Sequence, residues 1–234
     1  MNAYIIVLAE SDTSIEAAQR CRLSTKMELT SWDATTANDA EYDLKKAGLE
    51  WTYPWQGVTN DLRTGLKLTA YQTANPRARI GCFMSHYTLW KQCILENTPI
   101  LILEHDAIFI REISDKDMRL IVESPYGIIG INDPRGATRR SGEYHNLTQD
   151  WGDVNDLVVP APKIDDWSIP QGIAGNSAYI IKPAAASKML QLAHSLGAWP
   201  NDALMCYQNF EGRMLGQTKT YFTQVQGTRS TTTL

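Results

Sequence analysis

Residues 80–109 read IGCFMSHYTLWKQCILENTPILILEHDAIF. In the first half Ile80, Phe83, Met84, Tyr87, Trp90 and Ile94 recur at spacings of three and four, the apolar stripe of a helix. After Pro99 the helical period disappears. The run Ile100–Leu103 is apolar throughout, as a strand covered on both faces must be. It ends in Glu104, His105 and Asp106, three groups able to bind a metal or move a proton at the end of a core element. A helix followed by a fully buried strand is a unit of an α/β fold.

The same alternation extends both ways. Strand-like runs rich in Ile, Val and Tyr fall at 3–9, 99–104, 126–132, 177–182 and 219–225, and 26–32 alternates as a further strand. Helical pattern fills 33–48, 183–196 and 201–212. Pro183 suits a first turn, Asn201 and Asp202 suit a cap, and Gly48, Gly197 and Gly212 suit helix ends. The expectation is one α/β domain spanning 1–234, with a mainly parallel central sheet flanked by helices. Residues 133–174 are polar and punctuated by Gly and Pro, and predict a long loop region that covers substrate.

The bulk composition excludes little. The chain has 234 residues, 43% hydrophobic and 21% charged, with a formal net charge of −4. That charge opposes nucleic acid as a partner. No apolar run reaches the ~20 residues of a membrane span, and the N-terminal run lacks the basic flank of a secretion signal. Cys21, Cys82, Cys93 and Cys206 are scattered, which reads as free thiols and a cytoplasmic setting.

In an open α/β sheet, ligands bind beyond the carboxyl ends of the strands. Glu104 and Asp106 stand at such an end, spaced so that both point to one side if the backbone stays extended. Two carboxylates there suit a hard divalent cation, Mn²⁺ or Mg²⁺. The pair also fits a surface acid followed by a turn cap, and His105 fits a hydrogen-bonded bystander.

The wider pattern resembles glycosyltransferase family 25, which includes bacterial lipooligosaccharide β-galactosyltransferases and collagen galactosyltransferase-like proteins. Gly81, Cys82, Ser85, His86, Trp90, Leu103, Glu104, Asp106 and Ala107 match its core signature in order and spacing. GNSAYIIKPAAASKML (175–190), WPNDALM (199–205) and TQVQGTRSTT (223–232) resemble its later segments. His105 departs from the pattern, which has an acid there.

The resemblance implies a single Rossmann-like domain of the glycosyltransferase A type. It implies an inverting transfer of a hexose, galactose or glucose, from a UDP-sugar to a saccharide such as lipopolysaccharide. Glu104 and Asp106, with His105 as a nitrogen donor, would hold the metal. Ser85, His86 and Ser230 would join them in binding the donor, and Asp202 would be the general base, with Asp165 and Asp166 as fallbacks. Arg135, Arg139 and Arg140 are candidates for phosphate or an anionic acceptor. The alternatives are an acceptor that is a modified nucleic-acid base or a protein hydroxyl, and a non-catalytic binder of nucleotide-sugars or glycans.

Overall fold

The computed structural model describes residues 1–136, 140–153, 155–210 and 214–227. In chain order the elements begin with β1 (Asn2–Val7), α1 (Asp12–Leu23), β2 (Thr30–Asp33), α2 (Ala40–Lys46), β3 (Val58–Asn60), β4 (Lys67–Thr69) and α3 (Pro76–Glu96). They continue with β5 (Ile100–Glu104), β6 (Ala107–Phe109), α4 (Asp115–Glu123), β7 (Ile128–Gly130), α5 (Ser141–Asp150) and β8 (Val158–Pro160). The chain closes with β9 (Ala178–Ile181), α6 (Pro183–Leu196), α7 (Asn201–Leu204), β10 (Leu215–Thr218) and β11 (Thr223–Val225).

Seven strands form one sheet in the order β2-β1-β5-β9-β7-β10-β8. Five run in one direction. β9 and β8 run against them, so β9 pairs antiparallel with both β5 and β7. β11 and β6 form a separate antiparallel pair, as do β3 and β4.

The continuous apolar run of β5 is explained by its two neighbours. Ile100 and Ile102 face a core shared with Phe83, Tyr87 and Trp90 of α3 and Met189 of α6. Leu101 and Leu103 face the opposite core, with Ala18 and Cys21 of α1 and Ile121 of α4. Side chains alternate along a strand, so Glu104 falls on the α3 side with Ile100 and Ile102.

Helix α3 starts earlier than its motif. Asn75 caps it, its side chain accepting from the amides of Arg77 and Ala78, and Pro76 opens the first turn. Ser85 and His86 therefore lie in its third turn and are buried, not at its N-terminus. Other expectations also shift. The 201–212 helix stops at Leu204 before a short 3-10 turn at Tyr207–Asn209. Residues 219–225 give only β11, outside the main sheet, which is completed by β10 instead. The 133–174 region is not a bare loop, since it carries α5 and β8.

The glycine of the motif has a packing reason. A Cβ on Gly81 would lie 2.5 Å from the backbone oxygen of Thr35. One turn on, Ser85 Oγ accepts from the Thr35 amide at 2.9 Å and donates to the Gly81 carbonyl at 2.8 Å. Together they clamp α3 to the loop after β2. Gly81→Ala should therefore destabilise the fold by about 1–3 kcal/mol, the usual cost of overpacking against backbone. Thermal unfolding would show this as a drop of roughly 2–4 °C per kcal/mol; an unchanged midpoint would show that the loop yields freely.

Candidate active site

The chain leaves β1 for β2 on one side of it and returns to β5 on the other, so the strand order reverses between β1 and β5. A crevice opens there beyond the strand ends, about 290 Å³ in volume. Leu8 and Glu10 after β1, Thr35 and Ala37 after β2, Asn75 and Ala78 at the start of α3, and Glu104, His105 and Asp106 after β5 all line it. A second cleft of about 450 Å³ lies beside it, lined by Tyr71, Arg79, Asp165, Gln171, Asn176, Asn201 and Asp202 among others. Cys82 and Glu104 line both, so the two clefts meet at the end of β5.

A buried hydrogen-bonded chain fixes Glu104. Trp90 Nε1 donates to the Tyr179 hydroxyl at 3.0 Å. That hydroxyl lies 2.8 Å from His86 Nδ1, and His86 Nε2 lies 3.1 Å from Glu104 Oε1. The Glu104 carboxylate can only accept, which assigns the ring proton to Nε2 and leaves Nδ1 to accept from the Tyr179 hydroxyl, whose oxygen takes the indole N–H. The side chain of His86 is fully buried, while that of Glu104 keeps 29% of its surface. The motif's histidine and tryptophan thus support the carboxylate from inside the protein. Ser85 serves the Thr35 amide, and both residues still border the crevice.

After Glu104 the backbone turns at His105 and Asp106 and does not stay extended. Glu104 and Asp106 nevertheless reach the same crevice. Burial, and next the Glu104 charge, push the Asp106 carboxyl up to about 7. Its Oδ1 is buried with no hydrogen-bond partner among the described residues. Burial also lowers the pKa of His105, against the pull of Glu104.

Gln226 ties this turn down. Its amide nitrogen donates to the carbonyls of Ala17 and Ala107, both at 2.9 Å, and its backbone N–H to that of Asp106 at 2.7 Å. Arg20 Nε holds its side-chain oxygen at 2.8 Å. The matched closing segment contains Gln226, but a local pattern gives no sign that it straps a turn 120 residues earlier. Ser230 and Arg139 lie outside the described residues.

Glu104 also belongs to a second set of potential donor atoms. Cys82, His86 and Glu104 each place a ligand atom within 4.8 Å of the others. This trio suits a metal poorly: both ring nitrogens of His86 are hydrogen-bonded, and burial with the Glu104 charge pushes the Cys82 thiol well up. Glu104 and Asp106 offer only oxygen, and Asp106 has a carboxylate atom without a partner. That pair fits a hard divalent cation.

In the second cleft, Tyr71 donates to Asp202 Oδ2 at 3.1 Å and the Ala203 amide to Oδ1 at 3.0 Å. Asp202 is exposed at the mouth of the cleft, yet the concave walls crowd it with protein. The resulting desolvation raises its pKa, against Tyr71, Arg79 and the Ala203 amide, which lower it. Asp165 shares the cleft but pairs with Arg140 at 2.7 Å. Asp166 binds Ser168 instead and is not part of the lining. Arg135 pairs with Asp133 at 2.7 Å in a different cleft, so Arg135 and Arg140 are held by different acids.

Asp106 carries a pH signature. Its folded pKa lies above the ordinary 3.8, so the fold binds its proton more tightly than the unfolded chain does. Its burial then costs stability increasingly as pH rises from about 4 to about 7 and fully above that. Without divalent cations, Asp106→Asn should melt near wild type at about pH 4 and higher than wild type above about pH 7. A melting difference independent of pH would contradict this environment for Asp106.

The structure is similar to mouse xyloside xylosyltransferase 1 in its apo form, at 11% identity and a TM-score of 0.38, over 88% of this chain and 79% of that one. A likeness this distant says nothing about substrate. No curated protein matches the chain. The sequence model of Glycosyltransferase family 25 (LPS biosynthesis protein) matches residues 1–124, more than half of the chain and all of the β1–α4 unit that carries Glu104 and Asp106. The chain belongs to glycosyltransferase family 25.

Proposed function

We propose that this protein is an inverting glycosyltransferase that moves a hexose, galactose or glucose, from a UDP-sugar to a hydroxyl of a saccharide acceptor such as lipopolysaccharide. One observation carries the reading. Glu104 stands where a crevice at the strand-order reversal joins a second cleft lined by a further carboxylate, Asp202.

The first crevice suits the donor. Strand-order reversals are where α/β sheets bind nucleotides, and the first turn of α3 lines this one with its positive end. Glu104 and Asp106 would hold Mn²⁺ or Mg²⁺, with the His105 imidazole at hand as a nitrogen donor. A cation bound there would supply charge neutralisation for the departing diphosphate.

The second cleft suits the acceptor. Each Asp202 oxygen already accepts one hydrogen bond and keeps a lone pair for a hydroxyl proton. Its raised pKa makes it a stronger base than an ordinary carboxylate, closer to the working pH. Placing base and leaving group in adjoining clefts allows attack on the sugar from the side opposite the diphosphate, which inverts the anomeric carbon.

Turnover of UDP-galactose and UDP-glucose against a panel of glycan acceptors tests the assignment. Asp202→Asn should lower kcat by about 10²–10⁴, the range for losing a general base, with UDP affinity retained. In the wild type, kcat/KM should fall on the acid side from a pKa above the ordinary 3.8. Glu104→Ala should weaken divalent-cation dependence as well as rate. Full kcat in Asp202→Asn would remove Asp202 from the base role, and retention of the donor's anomeric configuration would rule out inversion.

A further inference from the structure

A third cleft, of about 270 Å³, opens at the carboxyl ends of β7 and β10, which run parallel to β5. Asp133 and Arg135 follow β7, Lys219 and Tyr221 follow β10, Arg111 comes after β6, and His145 reaches in from α5. Its charge is opposite to that of the crevice at the end of β5. That crevice presents Glu10, Glu104 and Asp106, whereas this cleft presents Arg111, Arg135 and Lys219 against one acid, Asp133. Three cations against one acid leave a surplus of two positive charges with His145 neutral, in a chain whose formal net charge is −4.

The donors are held by other groups and still keep N–H bonds to offer. Arg135 binds Asp133 through Nε and Nη2, at 3.0 and 2.7 Å, which leaves Nη1 without a partner among the described residues. Lys219 Nζ donates to the carbonyls of Trp151 and Asp153 at 2.9 and 3.3 Å, two of its three N–H bonds. His145 is fixed through Nδ1, 2.9 Å from the Tyr221 hydroxyl, and its Nε2 has no partner among the described residues. The Arg111 guanidinium has none either, and Glu112 beside it binds Thr25 and Lys26 instead.

We propose that this cleft binds a phosphate monoester group, carried by a saccharide or present as the free ion. A guanidinium fork matches two phosphate oxygens at once. The surplus of two charges matches the near-dianion that a phosphate monoester is at neutral pH. The site is separate from the clefts given above to donor and acceptor, and does not depend on those roles.

Phosphorus NMR titrations of the protein with inorganic phosphate and with glucose 6-phosphate, without divalent cations, test this. Both should bind to the wild type, more weakly as salt rises, and excess glucose should displace neither. Arg111→Ala should weaken binding about tenfold, as for the loss of one charged hydrogen bond. Its melting temperature should not change, because that side chain holds no other group among the described residues. Arg111→Lys should recover part of the affinity. Tighter binding of glucose 6-phosphate than of phosphate would support a phosphorylated saccharide as the ligand; equal binding would support the free ion. No phosphate binding to the wild type, displacement by glucose, or unchanged affinity in both Arg111→Ala and Lys219→Gln would each overturn the site.

Discussion

Three hydrogen bonds run through the core from the Trp90 indole, through Tyr179 and His86, to the carboxylate of Glu104. The rest of the site depends on this chain. It joins helix α3 to the antiparallel strand β9 and, through both, to the end of β5. Every member but Glu104 is fully enclosed. In a low-dielectric interior such a chain is strong when complete and costly when broken, because removing one member leaves its neighbours unpaired. It therefore holds one carboxylate in place while leaving part of its surface open to the two clefts.

The antiparallel course of β9 has a purpose in this arrangement. Tyr179 lies opposite Ile102 of β5 and Gly130 of β7, in the middle of the sheet. From there its side chain meets His86 and Trp90 on α3. The glycine, serine, histidine and tryptophan of the 81–90 segment each perform a distinct physical task. Gly81 permits close approach to Thr35, Ser85 binds the Thr35 amide, His86 supports Glu104, and Trp90 anchors the chain of hydrogen bonds. The motif is a scaffold that sets the crevice walls, and the groups free to meet a ligand are those it positions.

The core of the fold was legible because β5 and α3 have unmistakable periods. A fully apolar four-residue run bounded by Pro99 and an acid, following a helical stripe, has few other readings. Helix α1 is hard to see in the sequence because its buried residues are small, Ser14, Ala17, Ala18 and Cys21, and make a faint stripe. β10 is equally hard to see because LGQT is buried through sheet neighbours, not through apolar character. Glu104, Asp106 and Asp202 were readable as candidates from their places in matched segments. Their supports were not. Gln226 acts on residues 105–107 across the whole domain, a link that only the tertiary structure makes.

In the proposed function, Glu104 and Asp106 bind the diphosphate of a UDP-sugar through a divalent cation. Ligands that bind only the folded protein raise its melting temperature by mass action. The most direct measurement is the thermal shift with UDP alone, Mn²⁺ alone and both together, in wild type and in Asp106→Ala. With both ligands present, the shift should exceed the sum of the separate shifts and disappear in Asp106→Ala. An equal shift from UDP with or without Mn²⁺, unaltered by Asp106→Ala, would contradict it.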